Sequence, residues 1–283
     1  MQIVHDRDQL GRALGDYRRA GDRVALVPTM GNLHAGHMAL VERARQVADR
    51  VVVSLFVNPT QFAPGEDFAD YPRTFEADRE RLLAAGVDLL FAPGEAVMYP
   101  DGPGAVTVAV DGVSRDLEGA SRPHFFAGVA TVVAKLLAAA APDVAVFGKK
   151  DYQQWVVVRR LARNLLMDTA IEAVDTVREA DGLAVSSRNA YLTAGERAVA
   201  PGLYHALTEA AAEGRRRDLD PPSVGAVARH RMAEAGLEPE YAEVRRAGDL
   251  GEVTDLAGPR VLLAAARLGE TRLIDNLELG PGE

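Results

Sequence analysis

The sequence predicts an α/β protein, a parallel sheet covered by helices, followed by a smaller C-terminal α+β domain. Three patterns carry that expectation. Near-continuous apolar runs at residues 24–27, 51–56 and 144–147 suit strands of a parallel sheet buried on both faces. Segments of helical period separate them, giving strand–helix–strand units whose crossovers are expected to be right-handed. From Thr193 onward the order changes to helices first and then three strands joined by short links, which suits a separate antiparallel sheet. The division is placed at 1–176 and 177–283.

In chain order, residues 1–20 read as an amphipathic helix. A strand at 24–27 breaks at Pro28, and a short loop with Gly31 and Asn32 leads into a helix near Gly36. The strand at 51–56 follows, then an acidic, turn-rich loop at 65–71. A helix at 74–85 has Thr74 as its expected N-cap, with Glu76 and Asp78 in its first turn. Strands are expected at 87–92 and 105–110, a loop with Arg122 and His124 at 118–128, and a helix at 129–141. A strand at 144–147, a helix at 152–166 and a strand at 170–174 complete a sheet of about five or six strands. The second domain reads as helices to Val199, over 201–216 and over 222–235, then strands at 240–246, 260–266 and 272–277.

Composition narrows the function. With 48% hydrophobic and 26% charged residues the chain is globular rather than disordered. A net charge of −9 argues against a nucleic-acid partner. The absence of cysteine excludes disulfides and thiolate chemistry. The first ten residues are polar, unlike a secretion signal, and the apolar run at 129–141 contains Lys135 and is too short to span a bilayer. A cytoplasmic protein with no membrane partner is the expectation. Only three of the 32 basic residues are lysines, and Lys149 and Lys150 are adjacent. A chain that otherwise uses arginine for charge draws attention to such a pair.

Candidate chemistry gathers where strands end. His34 and His37 lie three apart at a helix start, where unpaired backbone N–H groups and a partial positive charge favour an anion. Gly36 allows close backbone approach, so the stretch reads as a triphosphate cradle, with a structural role or metal ligation open to the same histidines. Asn58 and Gln61 follow the next strand. After the strand at 144–147, Gly148, Lys150 and Asp151 could meet a nucleotide, with Gln154 about one turn on. A capping Asp beside solvated lysines is the plainer alternative. Ser186, Ser187 and Arg188 form a second phosphate-type group. Asp78 could hold Mg²⁺ or simply favour its helix dipole.

PTMGNLHAGH, FVNPTQF, YPRT, GKKDYQQ, ADGLAVSSRN and ARLGETRLIDN occur in that order and at ordinary spacing. Together they resemble the pantothenate synthetase (pantoate–β-alanine ligase) family nearly end to end. The resemblance implies a Rossmann-like nucleotidyltransferase sheet, a C-terminal lid domain and a homodimer. It implies ATP with Mg²⁺, the small-molecule partners pantoate and β-alanine, and a pantoyl adenylate that β-alanine converts to pantothenate, releasing pyrophosphate and then AMP. His34, His37, Lys150, Ser186, Ser187 and Arg188 would contact phosphates, with His37 as proton donor and His34, His37, Lys150 and Arg188 as the catalytic set. Met30 would lie near the triphosphate and acyl sites, Gly148 and Asp151 would hold ribose, and the Val177 backbone adenine. Gly36, Lys149 and Val185 belong to the same ATP-binding motifs. Gln61 and Gln154 would hold pantoate, supported by Asn58. Lys149 stands where the family commonly has Glu, Ala77 where an acidic neighbour of Asp78 is frequent, and His124 one position early. Those departures leave room for a divergent adenylate-forming ligase joining another acid and amine. A nucleotide-binding protein without turnover would not need the intact catalytic set.

Overall fold

The computed structural model describes residues 1–280 except Pro64 and Asp67. The chain divides into two compact units. One comprises Met1–Lys149 and Gln153–Asp175, and the other Lys150–Tyr152 and the chain from Thr176 onward.

The first unit is built on six parallel strands. In chain order they are β1 (Gln2–Val4), β2 (Val24–Thr29), β3 (Arg50–Leu55), β4 (Leu89–Phe91), β5 (Val144–Gly148) and β6 (Ala170–Val174). Their spatial order is β1-β4-β3-β2-β5-β6. The chain runs outward from β2 through β3 to β4, then returns to lay β5 on the other side of β2. The order therefore reverses at β2, and the crevice outside the carboxyl ends of β2 and β5 is where open α/β sheets bind ligands.

Helices α1 (Arg7–Ala20), α2 (Ala35–Val47), α3 (Phe75–Ala84), α4 (Glu95–Met98), α5 (Glu118–Ser121), α6 (Phe125–Ala140) and α7 (Tyr152–Asn164) accompany the sheet, with α2 packed on β2, β3, β5 and β6 and α6 on β2. Ala25, Val27, Val51, Val53, Val144 and Val146 share a core with Leu40, Val41 and Ala44 of α2. The alternate residues Leu26, Val52 and Ala145 are equally buried, as a strand covered on both faces requires.

Four expectations change. Residues 2–4 pair in parallel with β4 as an edge strand before α1 begins, and Asp6 caps that helix by accepting from the Gln9 N–H. Three residues are too few to show an alternation. Pro28 lies inside β2 rather than ending it. The Val24 N–H points to Asp143, just ahead of β5, so alternation turns the Pro28 nitrogen to the same side. Pairing of β2 with β5 covers only Ala25 and Leu26, so no ladder bond is lost at Pro28. Residues 105–110 form a bend and irregular chain instead of a strand, and the Val108 N–H bonds to the Thr131 hydroxyl at 2.9 Å. The helix expected at 129 starts four residues earlier.

The second unit carries α8 (Ala194–Val199), α9 (Gly202–Arg217) and α10 (Pro221–Glu234), then β7 (Glu238–Arg246), β8 (Arg260–Leu268) and β9 (Thr271–Leu279). The three strands form an antiparallel sheet in that order. Leu203, Leu207, Ala210, Val224, Ala228 and Met232 of the helices share a core with Leu262, Ala264 and Ala266 of β8. No helix among the described residues is long and apolar enough to cross a membrane.

One glycine sets a critical approach. A Cβ on Gly128 of α6 would lie 2.3 Å from the Thr60 carbonyl oxygen and 2.8 Å from the Gln61 nitrogen, in the turn after β3. Gly128→Ala should therefore cost about 2–3 kcal/mol through overpacking. Gly11→Ala in α1, where a Cβ meets nothing within 4 Å, should instead gain about 0.5–1 kcal/mol. Denaturation midpoints moving in opposite directions would bear this out, and a neutral Gly128→Ala would show that α6 can withdraw from the turn.

Candidate active site

Three short connections at the carboxyl ends of strands in the first unit hold the expected side chains. The first joins β2 to α2. Gly31 and Asn32 take positive φ values of 86° and 49°, which turns successive backbone N–H groups inward. They meet Asp78, fully buried on α3, whose Oδ2 accepts from the Asn32 N–H at 2.9 Å and whose Oδ1 accepts from the Leu33 N–H at 2.8 Å. Thr74 occupies the N-cap position of α3, but its hydroxyl donates to Asp78 at 3.0 Å instead of accepting from the helix. A buried carboxylate needs donors, and it takes this one. Arg81, one turn further along α3, donates to the Leu33 carbonyl. Asp78 thus clamps the loop, while Glu76 is exposed and pairs with Arg79 at 2.8 Å.

With the loop fixed, His34 becomes the extended N-cap of α2 and His37 its third residue. The two imidazoles cap the helix reciprocally. His34 Nδ1 accepts from the Gly36 N–H at 3.2 Å, and His37 Nδ1 accepts from the His34 N–H at 3.3 Å. Their rings lie 4.0 Å apart, tilted by 36°. Because each Nδ1 is an acceptor, the proton of each neutral ring sits on Nε2. The capping thereby fixes both tautomers and makes each Nε2 a donor.

The second connection follows β3. Asn58 caps a single 3₁₀ turn, Pro59–Gln61, and is 1% exposed. Its Nδ2 donates to Gln61 Oε1 at 3.1 Å and to the Gly128 carbonyl at 3.2 Å. Gln61 Nε2 in turn reaches Met30 Sδ at 3.1 Å, so Met30, Asn58 and Gln61 form one connected group. Arg122 donates to the Gln61 carbonyl and pairs with Glu66 at 2.7 Å. Although burial alone would raise the Glu66 carboxyl, its bonds to Arg122 and to the Ala63 backbone together with the nearby positive charge hold it below the usual carboxylate range. His124 ends the same loop, with a buried Nε2 that no group among the described residues meets.

The third connection follows β5. Gly148 lies beside Leu40 of α2, and Lys149 pairs with Asp175 at 2.8 Å. The added positive charge at Lys149 is thus answered locally by an exposed carboxylate. Of the two adjacent glutamines, Gln153 is buried and structural: it donates to the Val113 and Asp116 carbonyls and accepts from the Glu118 N–H. Gln154 is half-buried on the next position of α7.

The second unit holds the remaining candidates. Lys150 lies 3.6 Å from Asp151, and its carbonyl accepts from Asn276 Nδ2. The Val185 N–H donates to the Val177 carbonyl at 2.9 Å, closing a turn that contains Gly182. Ser186 caps the 3₁₀ turn Ser187–Tyr191 by accepting from the Arg188 N–H at 3.3 Å. Arg178, which sequence reasoning missed, anchors this segment. It grips Asp275 with two bonds of 2.6 and 2.8 Å and stacks on the Tyr204 ring at 3.7 Å. Nothing local in the sequence joins positions 178 and 275.

The pantoate-beta-alanine ligase family model matches residues 2–278. The pantothenate synthetase of Thioalkalivibrio sulfidiphilus is 55% identical over 282 residues, covering 98% of this chain and 97% of its own. That of Paramagnetospirillum magneticum is 53% identical, covering 99% of each. The solved pantothenate synthetase of Thermus thermophilus is 45% identical, with a TM-score of 0.92 over 99% of this chain and 100% of its own. A pantoate-beta-alanine ligase from Francisella tularensis, solved in complex with beta-gamma ATP and beta-alanine, is 32% identical with a TM-score of 0.82. It covers 98% of this chain and 97% of that one.

Replacing Asp78 by Ala leaves one buried and one part-buried N–H group without their acceptor, so a loss of about 3 kcal/mol is expected. Hydrogen exchange gives the local readout. The Asn32 and Leu33 amides should be protected in the parent and exchange much faster in Asp78→Ala, while strand amides of β7 to β9 stay protected. Unchanged exchange at Asn32 and Leu33 would mean that the loop holds itself.

Proposed function

Because this chain belongs to the pantoate-beta-alanine ligase family, we propose that it condenses pantoate with β-alanine, using ATP, through a pantoyl adenylate. A pantoate carboxylate oxygen attacks the α-phosphorus of ATP, the bond from that phosphorus to its bridging oxygen breaks, and pyrophosphate leaves. The amine nitrogen of β-alanine then attacks the acyl carbon, the bond to AMP breaks, and the nitrogen loses its proton as pantothenate forms. The observation that carries this reading is the reciprocal capping of His34 and His37. It fixes two Nε2–H donors at a helix N-terminus, next to the point where the strand order reverses.

The roles follow the chemistry. A carboxylate is already ionised at neutral pH, so the first step requires no base, only placement and neutralisation of phosphate charge. His34 and His37 donate to phosphate oxygens, with His37 supporting the leaving pyrophosphate. Lys150, Ser186, Ser187 and Arg188 are assigned to phosphates as well. Gly148 and Asp151 are assigned to ribose, and the Val177 backbone to adenine. Gln61 and Gln154 receive pantoate. No group of three or more His, Cys, Asp or Glu side chains among the described residues could hold a metal. Mg²⁺ bound with ATP would neutralise phosphate charge, and no cage of side chains is assigned to it. Asp78 is assigned to the loop it clamps. A homodimer in the cytoplasm, expected from the sequence, belongs to the same proposal; light scattering checks the dimer.

Pyrophosphate release measured with ATP and a panel of hydroxy acids, followed by product mass with a panel of amines, tests the reaction. Release with another acid and none with pantoate would replace this reading by that of a divergent ligase. His37→Ala should slow adenylate formation about 10²-fold, the scale of a lost preorganised donor. It also removes a cap, so the informative partner is His37→Gln, whose amide can keep the capping contact from the same helical position. Stability restored with the rate still low assigns the imidazole to chemistry; a rate restored along with stability makes the residue structural. Lys150→Arg should be inactive, because a planar fork cannot replace a compact ammonium. Lys149→Ala, which removes the pair with the exposed Asp175, should be mild.

A further inference from the structure

Tyr99 follows α4, is 4% exposed and has no place in the roles above. Its ring is held on two sides. The Lys135 ammonium sits 5.0 Å from the ring centroid while donating to the Met98 carbonyl at 2.9 Å, and Phe56 packs at 6.1 Å. Its hydroxyl donates to Asn58 Oδ1 at 2.6 Å, the shortest bond that Asn58 makes.

The Asn58 amide has only one arrangement. Oδ1 accepts from Tyr99 and from the Thr60 N–H, and the Thr60 hydroxyl lies within hydrogen-bond distance of both Oδ1 and the Tyr99 oxygen. Both Nδ2 hydrogens are used by Gln61 Oε1 and the Gly128 carbonyl. The Thr60 N–H can only donate and the Gly128 carbonyl can only accept, so flipping the amide would break contacts at both ends. The sense passes to Gln61: its Oε1 faces a donor, and its Nε2 carries one hydrogen toward Met30 sulfur and has a second hydrogen to offer. Burial pushes the Tyr99 phenol up, against a lowering by Thr60, so the hydroxyl stays a donor at neutral pH.

We propose that Tyr99 is a positioning residue for the acid substrate, holding Gln61 through Asn58 so that Gln61 offers a ligand an N–H and not its carbonyl oxygen. The ligand atom that meets Gln61 is then a hydrogen-bond acceptor, such as a carboxylate oxygen or the lone pair of a hydroxyl. The inference rests on the pantoate reading only for the identity of that acid; the relay itself stands in the free protein.

Tyr99→Phe removes the donor and keeps the ring. Its expected effect is a rise of about 10-fold in KM for pantoate, with kcat and the KM for ATP changed by less than about threefold. In a Gln61→Ala background the same substitution should add nothing, because the group it positions is gone. An equal rise in both backgrounds, or none in the parent, overturns the proposal. A second readout needs no substrate: the Gln61 side-chain amide resonances of the ligand-free protein, identified by their loss in Gln61→Ala, should shift in Tyr99→Phe. Unshifted resonances also overturn it. Shifted resonances in a protein that releases no pyrophosphate with pantoate would support the relay while the ligase reading fails.

Discussion

The buried carboxylate of Asp78 is the constraint on which the active-site geometry depends. A loop that places Gly31 and Asn32 at positive φ directs backbone N–H groups inward, where water is excluded. Left without an acceptor, those groups would oppose the conformation. Burying a charge is also unfavourable, and three donors from the loop and from Thr74 offset it. Each side of this arrangement is costly alone and stable with the other. From it follow the extended backbone at His34, the start of α2 at Ala35, and the orientation of both imidazoles.

Much of this was legible in the sequence because the signals were local. Val51 to Phe56 reads as a buried parallel strand from its apolar continuity, and the helices of the second unit from their period and their prolines. The pairing of His34 with His37 could be placed on one helical face by spacing alone. What stayed hidden were relations between distant positions. The acidic pattern around Asp78 pointed equally to a metal or a dipole effect, since no local signal shows a carboxylate meeting N–H groups 45 and 46 residues upstream. Tyr99 reads as a residue before a proline, yet its hydroxyl bonds to an amide 41 residues away. Residues 105–110 have the composition of a strand, but their Val108 N–H goes to the Thr131 hydroxyl instead of a ladder.

Local charge in the first unit is more balanced than its sequence suggests. Lys149 adds a cation just after β5, yet Asp175 faces it at 2.8 Å. That carboxylate is largely exposed, so the pair contributes little to stability and can exchange with solvent. Arg122 is similarly engaged, by Glu66 and by the Gln61 carbonyl. These cations shape loops first. Their influence on an anionic ligand is what remains after that pairing, and at the scale of a Debye length of about 8 Å it is modest.

A common logic links the histidine pair to the glutamine relay. In both, a hydrogen bond at one atom of a planar side chain dictates what the other atom can do. Nδ1 acceptance makes Nε2 a donor in His34 and His37, and Oε1 acceptance leaves the N–H edge to face a ligand in Gln61. The first unit thus presents donors, and donors suit a ligand made of oxygen acceptors. That matches the proposed first half-reaction, in which the nucleophile is a carboxylate with no proton to remove and the leaving group is a polyphosphate. A reaction that began by deprotonating a hydroxyl would need an acceptor at the point of attack, and the hydrogen bonds made by these three side chains turn their acceptor atoms away from that task.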